Sequence, residues 1–161
     1  MERPPIHPYI PITIGVISVS LSAIFVKLAS ADAGVIAFYR MLFSIIIMLP
    51  WFLMKYSHEF KVLTKRDWGF SSIAGIFLAF HFILWFESLN YTSVASSTVL
   101  VTMQPLFAFI GTYLFFKEKI TLKTFVAGAI AILGSVLISW GDFQISGSAL
   151  FGDLLSLIAC A

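Results

Sequence analysis

The sequence predicts an all-α integral membrane protein, a polytopic helical bundle. Three observations predict it. Of the 161 residues, 60% are hydrophobic and 11% charged, and the mean hydropathy is +0.99. Soluble domains carry about 25% charged residues. A chain this short has no interior large enough to hide so much apolar surface, so the solvent for most of it is lipid. Second, the apolar residues fall into five long stretches separated by short polar connections. Each is near the ~20 residues that a helix needs to cross ~30 Å of hydrocarbon. Third, the basic residues gather in alternate connections. Strands are excluded because an open sheet edge in lipid leaves backbone groups unpaired.

The elements follow in order. Residues 1–11 contain Pro4, Pro5, Pro8 and Pro11 and read as a non-helical lead. The first apolar helix runs from Ile12 to Ala31. Its end, Ala29-Ser30-Ala31, imitates a signal-peptidase site, but Lys27 interrupts the apolar run before it and everything downstream is also membrane-like. The second helix covers 34–54, with Pro50 bending its last turn, and 56–67 is a charged loop. The third helix runs from Trp68 to Leu89. A tight turn at Asn90-Tyr91-Thr92 leads into a fourth helix that reaches Phe116. After a short turn at 117–121, the fifth helix runs from Leu122 to Trp140, and 141–147 is a loop of turn formers. The last apolar stretch, Ser148 to Ala161, stops after 14 residues. It is too short to span, so it is expected to be the opening of an unfinished sixth helix. A fragment of a longer chain is preferred over an end that lies in the membrane.

Orientation follows from the basic residues. With the N-terminus inside, the inner side holds Arg3, Lys55, Lys61, Lys65, Arg66, Lys117, Lys119 and Lys123, and the outer loops hold no Lys or Arg. This asymmetry predicts a cytoplasmic N-terminus in a multi-pass cell-membrane protein. The lone Cys160 excludes an intrachain disulfide. No basic arm points to nucleic acid, and no cluster of ligand residues points to a metal or cofactor. No nucleophile and base stand at a recognisable spacing, so an enzyme is not expected.

The polar residues within the spans are the candidate site, because a charge at the bilayer centre costs ~2.5–3.5 kcal/mol on insertion scales. Lys27 either snorkels to the outer interface or faces a cavity. Thr13, Ser20 and Lys27 recur every seven residues as one polar seam. Arg40, well inside the second helix, either ties helix ends through carbonyls or Asp32, or serves substrate. Glu87, near the outer end of the third helix, is a plausible ion-pair partner for Lys27 or Arg40. His81 is a packing residue or a proton relay. On the fourth helix Ser93, Ser97, Gln104 and Gly111 share one face, and Pro105 frees a carbonyl beside Gln104. That helix is either a kinked packing element or a cavity wall with Pro105 as its hinge. Ala127, Ala131, Ser135 and Ser139 recur every four residues, a small-residue face for close helix packing.

The segments SAIFVKLA (22–29), FYRMLF (38–43), LNYTSVASSTVLVTMQPLFAFIGTYLFFKEKIT (89–121) and GAIAILGSVLI (128–138) together resemble the first repeat of the EamA family of the drug/metabolite transporter superfamily. The resemblance implies a 5+5 inverted-repeat transporter of which this chain is the first five-helix repeat plus the start of a sixth helix. It implies a cavity lined by helices 1, 3 and 4 near Arg40, with Lys27, His81 and Gln104 as contributors, and it matches Glu118 to an acidic residue that holds the inner loop. An odd number of spans inverts a tandem second repeat, and such repeats place the substrate site at their interface.

The expected function is therefore transmembrane transport of small organic metabolites, with efflux by alternating access. The partners are the lipid bilayer, an unidentified small-molecule substrate and a second five-helix repeat in the same or another chain. The alternative is a non-transporting membrane accessory subunit or truncated interaction module.

Overall fold

Backbone groups in lipid must bond to one another, and among the described residues every regular element is helical. The structure, a computed structural model, describes residues 7–117, 121–145 and 147–161, with 142–145 as backbone only. The expectation that Glu118 holds the inner loop lies outside those residues, as do Lys119 and Arg3.

Helix α1 spans Tyr9–Leu28 and α2 spans Ala33–Tyr56, continued by a 3-10 turn at Ser57–Lys61. Helix α3 covers Lys65–Ser88, α4 Val94–Val101, α5 Gln104–Phe116, α6 Leu122–Ile145 and α7 Ala149–Cys160. Five spans are long and apolar enough to cross a membrane, with α4 and α5 together forming the fourth.

Several boundaries differ from the sequence reading, each for a local reason. Helix α1 begins at Tyr9, so Pro11 lies within its first turn and the non-helical lead ends sooner than expected. Proline is tolerated there because the first-turn N–H groups have no intrahelical acceptor. Helix α3 starts at Lys65, three residues before Trp68, because Thr64 and Asp67 form a capping box. The Thr64 N–H donates to Asp67 Oδ2 at 2.8 Å, and the Asp67 N–H donates to Thr64 Oγ1 at 3.3 Å. Helix α6 continues through Gly141 to Ile145, which corrects most of the loop assigned to 141–147. Pro50 sits inside α2, which runs on to Tyr56.

The largest difference is in the fourth span. It is two helices, broken at Thr102–Met103, with Pro105 in the first turn of α5. Proline lacks the N–H that would reach the Val101 carbonyl, so the ladder stops one turn before it. The Thr102 N–H still bonds Thr98 O at 3.1 Å, and the Met103 N–H turns tightly to Leu100 O at 3.1 Å. The expected kink is therefore a full break, and Ser97 and Gln104 do not lie on one continuous helical face.

Most of the apolar surface faces outward. Helix α1 buries Ala23 while Ile12, Ile14, Val16, Ile17 and Val19 stay exposed. That is the expected state of a lipid-facing helix, since lipid tails are as apolar as the side chains. The interior forms where α3 meets α2 and α7, around Phe82, Trp85, Phe86 and Leu89, with Ala23, Ala33 and Ala37 allowing close approach. Helix α7 packs chiefly on α3 and α4. It gets close because residue 152 is glycine. A Cβ there would lie 2.8 Å from Thr92 N and 2.9 Å from Ser88 O.

Candidate functional site

Three polar groupings lie among the spans. The first is at the α1–α2–α3 contact. Lys27, in the last turn of α1, donates its ammonium to the Leu89 carbonyl at the end of α3. The last carbonyls of a helix lack intrahelical donors, so a cation suits them. Arg40 is half-buried on α2 and donates from Nη1 to Ser22 Oγ at 2.9 Å. Its guanidinium lies 4.6 Å from the Phe82 ring centre, 5.6 Å from Phe86 and 5.9 Å from Trp85. The suggested ion pairs of Glu87 with Lys27 or Arg40 are not formed. Glu87 is half-buried and receives a long contact of 3.4 Å from Asn90 Nδ2. Arg40 makes no ion pair with Asp32 either. Among the described residues the ion pair is His58–Glu59 at 3.2 Å. Aromatic rings and a hydroxyl replace the carboxylates because α3 turns Phe82 and Phe86, not Glu87, toward Arg40.

The second grouping lines a cavity of about 580 Å³ between α3, α5 and α7. His81 and Gln104 supply polar side chains to a wall that includes Phe77, Leu84 and Ile158. His81 Nδ1 stands 2.6 Å from the Ala159 carbonyl. A carbonyl only accepts, so Nδ1 carries the proton. Gln104 Nε2, at 3.4 Å from the same nitrogen, is then a polar neighbour with no lone pair to donate to. The break places Gln104 at the first position of α5, facing this cavity, while Ser97 is fully buried elsewhere.

The third grouping went unseen in the sequence. Asp153, 6% exposed on α7, accepts at Oδ1 from Thr92 Oγ1 at 2.8 Å and from Ser96 Oγ at 2.7 Å. Ser96 also shares a hydrogen bond of 2.8 Å with Ser139 of α6. Ser97 bonds Ser88 at 2.7 Å and Ser156 at 3.1 Å. Hydroxyls of the α3–α4 turn and of α4 thus meet α7, with Ser88 of α3 and Ser139 of α6 bonded to the same α4 serines, and most of these side chains are nearly or fully buried. The signal was available: an aspartate in an apolar stretch carries the same insertion cost that singled out Lys27, and Gly152 stands beside it.

Of the small-residue face on α6, Ser135 is buried, bonding the Ala131 carbonyl at 3.0 Å and approaching Met103 Sδ at 3.3 Å, and Ser139 joins Ser96. Ala127 and Ala131 are exposed and line an open groove of about 660 Å³ against Pro105 and Leu106. Close packing is reached at the serines and not at the alanines; beside Ala127, the buried Gly128 admits Leu106 of α5, whose Cδ2 lies 2.8 Å from where a Cβ would stand.

The model of the EamA-like transporter family matches residues 8–140, most of the chain and all five spans. The chain belongs to the EamA-like transporter family. An uncharacterized transporter of Archaeoglobus fulgidus is 29% identical to this EamA-like chain over 144 residues, 84% of this chain and 51% of the relative. An uncharacterized protein of Haemophilus influenzae is 29% identical over 90 residues, 55% of this chain and 66% of the relative. The EamA-like chain thus spans about half the length of the archaeal relative. No solved structure is a significant match.

Proposed function

We propose that the chain is the N-terminal half of an efflux transporter for small organic metabolites, working by alternating access with a second five-helix repeat in the same or another chain. Family membership supports transport of the drug/metabolite type. The observation that carries the mechanism is the broken fourth span. Interrupted helices place helix ends and freed backbone groups at the midplane of inverted-repeat transporters. Here the break lies eight residues into a span of 23, and its α5 side presents Gln104 to the cavity that holds His81. Pro105 is the hinge in this reading, with His81, Gln104, Arg40 and Lys27 lining the path. Ser97 and Glu87 support that wall from behind. The N-terminus is cytoplasmic and the protein resides in the cell membrane.

Reconstitution into proteoliposomes tests the reading. The chain is expected to move solute only when a second five-helix repeat is present. Flux by the chain alone would sink the half-transporter assignment. No flux in either condition would favour a non-transporting accessory module, a reading supported by the open groove between α5 and α6.

A further inference from the structure

The Arg40 region holds donors without acceptors. Arginine presents five N–H groups and stays charged. One of them, on Nη1, meets Ser22 Oγ at 2.9 Å. No carboxylate pairs with it among the described residues. Three aromatic rings surround the guanidinium, and one of them belongs to Trp85. Trp85 is 5% exposed, and its Nε1–H is buried without a hydrogen-bond partner. Buried polar groups normally have partners. The indole N–H is a buried donor without a partner, and the half-buried guanidinium, 5.9 Å from the same ring centre, has N–H groups that no carboxylate among the described residues meets; one acceptor that carries negative charge would serve both.

We propose that Arg40 and Trp85 form the recognition site for the carboxylate of an organic anion, with Phe82 and Phe86 receiving the apolar part of that ligand. Planar carboxylates match the guanidinium fork in a bidentate geometry. This assignment names the substrate class of the transport reading above and rests on it only for the claim that the bound anion moves. Lys27 adds positive charge at the same end of the bundle while holding the Leu89 carbonyl.

The test uses the whole chain in lipid nanodiscs with acetate, phenylacetate and glutarate as probes, each compared with its uncharged amide. The indole ¹⁵N–¹H resonance of Trp85, assigned by its loss in Trp85→Phe, reports occupancy. At least one carboxylate is expected to shift it downfield saturably, and the matching amide is expected not to. Affinity should fall at least tenfold in Arg40→Gln. It should fall less in Arg40→Lys, which keeps the charge and loses the fork. Phe82→Leu, which leaves both donors in place, should weaken phenylacetate more than acetate. Equal titration by amides, an unchanged affinity in Arg40→Gln, or no response to any of the three carboxylates overturns the site. Binding seen only after Glu87→Gln would mean that Arg40 is paired internally, and would overturn it as well. Carboxylate binding without flux in proteoliposomes leaves the site standing and removes the transport reading. Flux that does not distinguish carboxylates from amides does the reverse.

Discussion

Replacing Gly152 by alanine probes the contact that seats α7. The added Cβ would meet Thr92 N at 2.8 Å, Ser88 O at 2.9 Å and Thr92 Cβ at 2.9 Å. Those backbone atoms cannot yield easily, because the Thr92 N–H bonds the Ser88 carbonyl at 3.1 Å within the turn after α3. Restoring contacts of ~3.5 Å requires α7 to withdraw by ~0.7 Å. The adjacent Asp153 moves with it, and its bonds of 2.8 and 2.7 Å to Thr92 and Ser96 stretch beyond the O–H···O range. Overpacking costs ~1–3 kcal/mol, and two interhelical bonds in a membrane are worth ~0.6 kcal/mol each on average. Alanine is also a better helix former by ~1 kcal/mol. Gly15→Ala in α1 isolates that gain, because nothing lies within 4 Å of its Cβ position. The two substitutions should therefore differ by ~2–4 kcal/mol. Unfolding in mixed micelles by added dodecyl sulfate, followed by tryptophan fluorescence, measures the difference. A gap below ~0.5 kcal/mol, the ordinary spread of surface substitutions, would refute the close-packing argument.

Other predictions concern the break, the histidine and the topology. Pro105→Ala supplies an N–H to the Val101 carbonyl and should stabilise the fourth span by about 1 kcal/mol in the same titration, while slowing solute flux several-fold; a loss of stability would contradict the account of the break. His81→Leu leaves the Ala159 carbonyl without its donor and should cost about 1 kcal/mol, whereas His81→Gln should recover part of it. In a Cys160→Ser background, Lys61→Cys should react with an impermeant maleimide only from the cytoplasmic side and Asn90→Cys only from outside, and the reverse pattern would invert the proposed orientation.

Much of the fold was legible because lipid imposes one rule on every span. Length and apolarity alone mark the five crossings, and no tertiary knowledge is needed to find them. Boundaries were less legible because they depend on pairs of residues. The Thr64–Asp67 capping box was hidden in a charged loop, and Pro11 read as a stop although it sits where a helix accepts proline. Pro105 announced a disturbance, but the sequence did not say that the ladder would open one turn earlier, at Thr102–Met103. For the candidate site, the cost of buried charge singled out Lys27 and Arg40 as residues in need of partners. It could not name them, because the partners lie on other helices: a carbonyl at Leu89 and a hydroxyl at Ser22 with three rings. His81 and Gln104 do share a cavity, across two helices of unrelated register. Asp153 was not legible as part of a site because its partners, Thr92 and Ser96, lie some 60 residues away and meet it only through the packing of α7 on α4.

The seat of α7 has a consequence for how the protein is made. A helix with an aspartate as its fifth residue enters lipid at a penalty if it enters alone, one that reaches ~2.5–3.5 kcal/mol for a charge at the bilayer centre. The groups that relieve the penalty, Thr92 and Ser96, are synthesised some 60 residues earlier. Segment α7 should therefore leave the insertion machinery only once the α3–α4 turn stands ready in the bilayer to receive it. The order of synthesis, hydroxyl donors first and accepting carboxylate second, then makes the α3–α4 turn the template for α7.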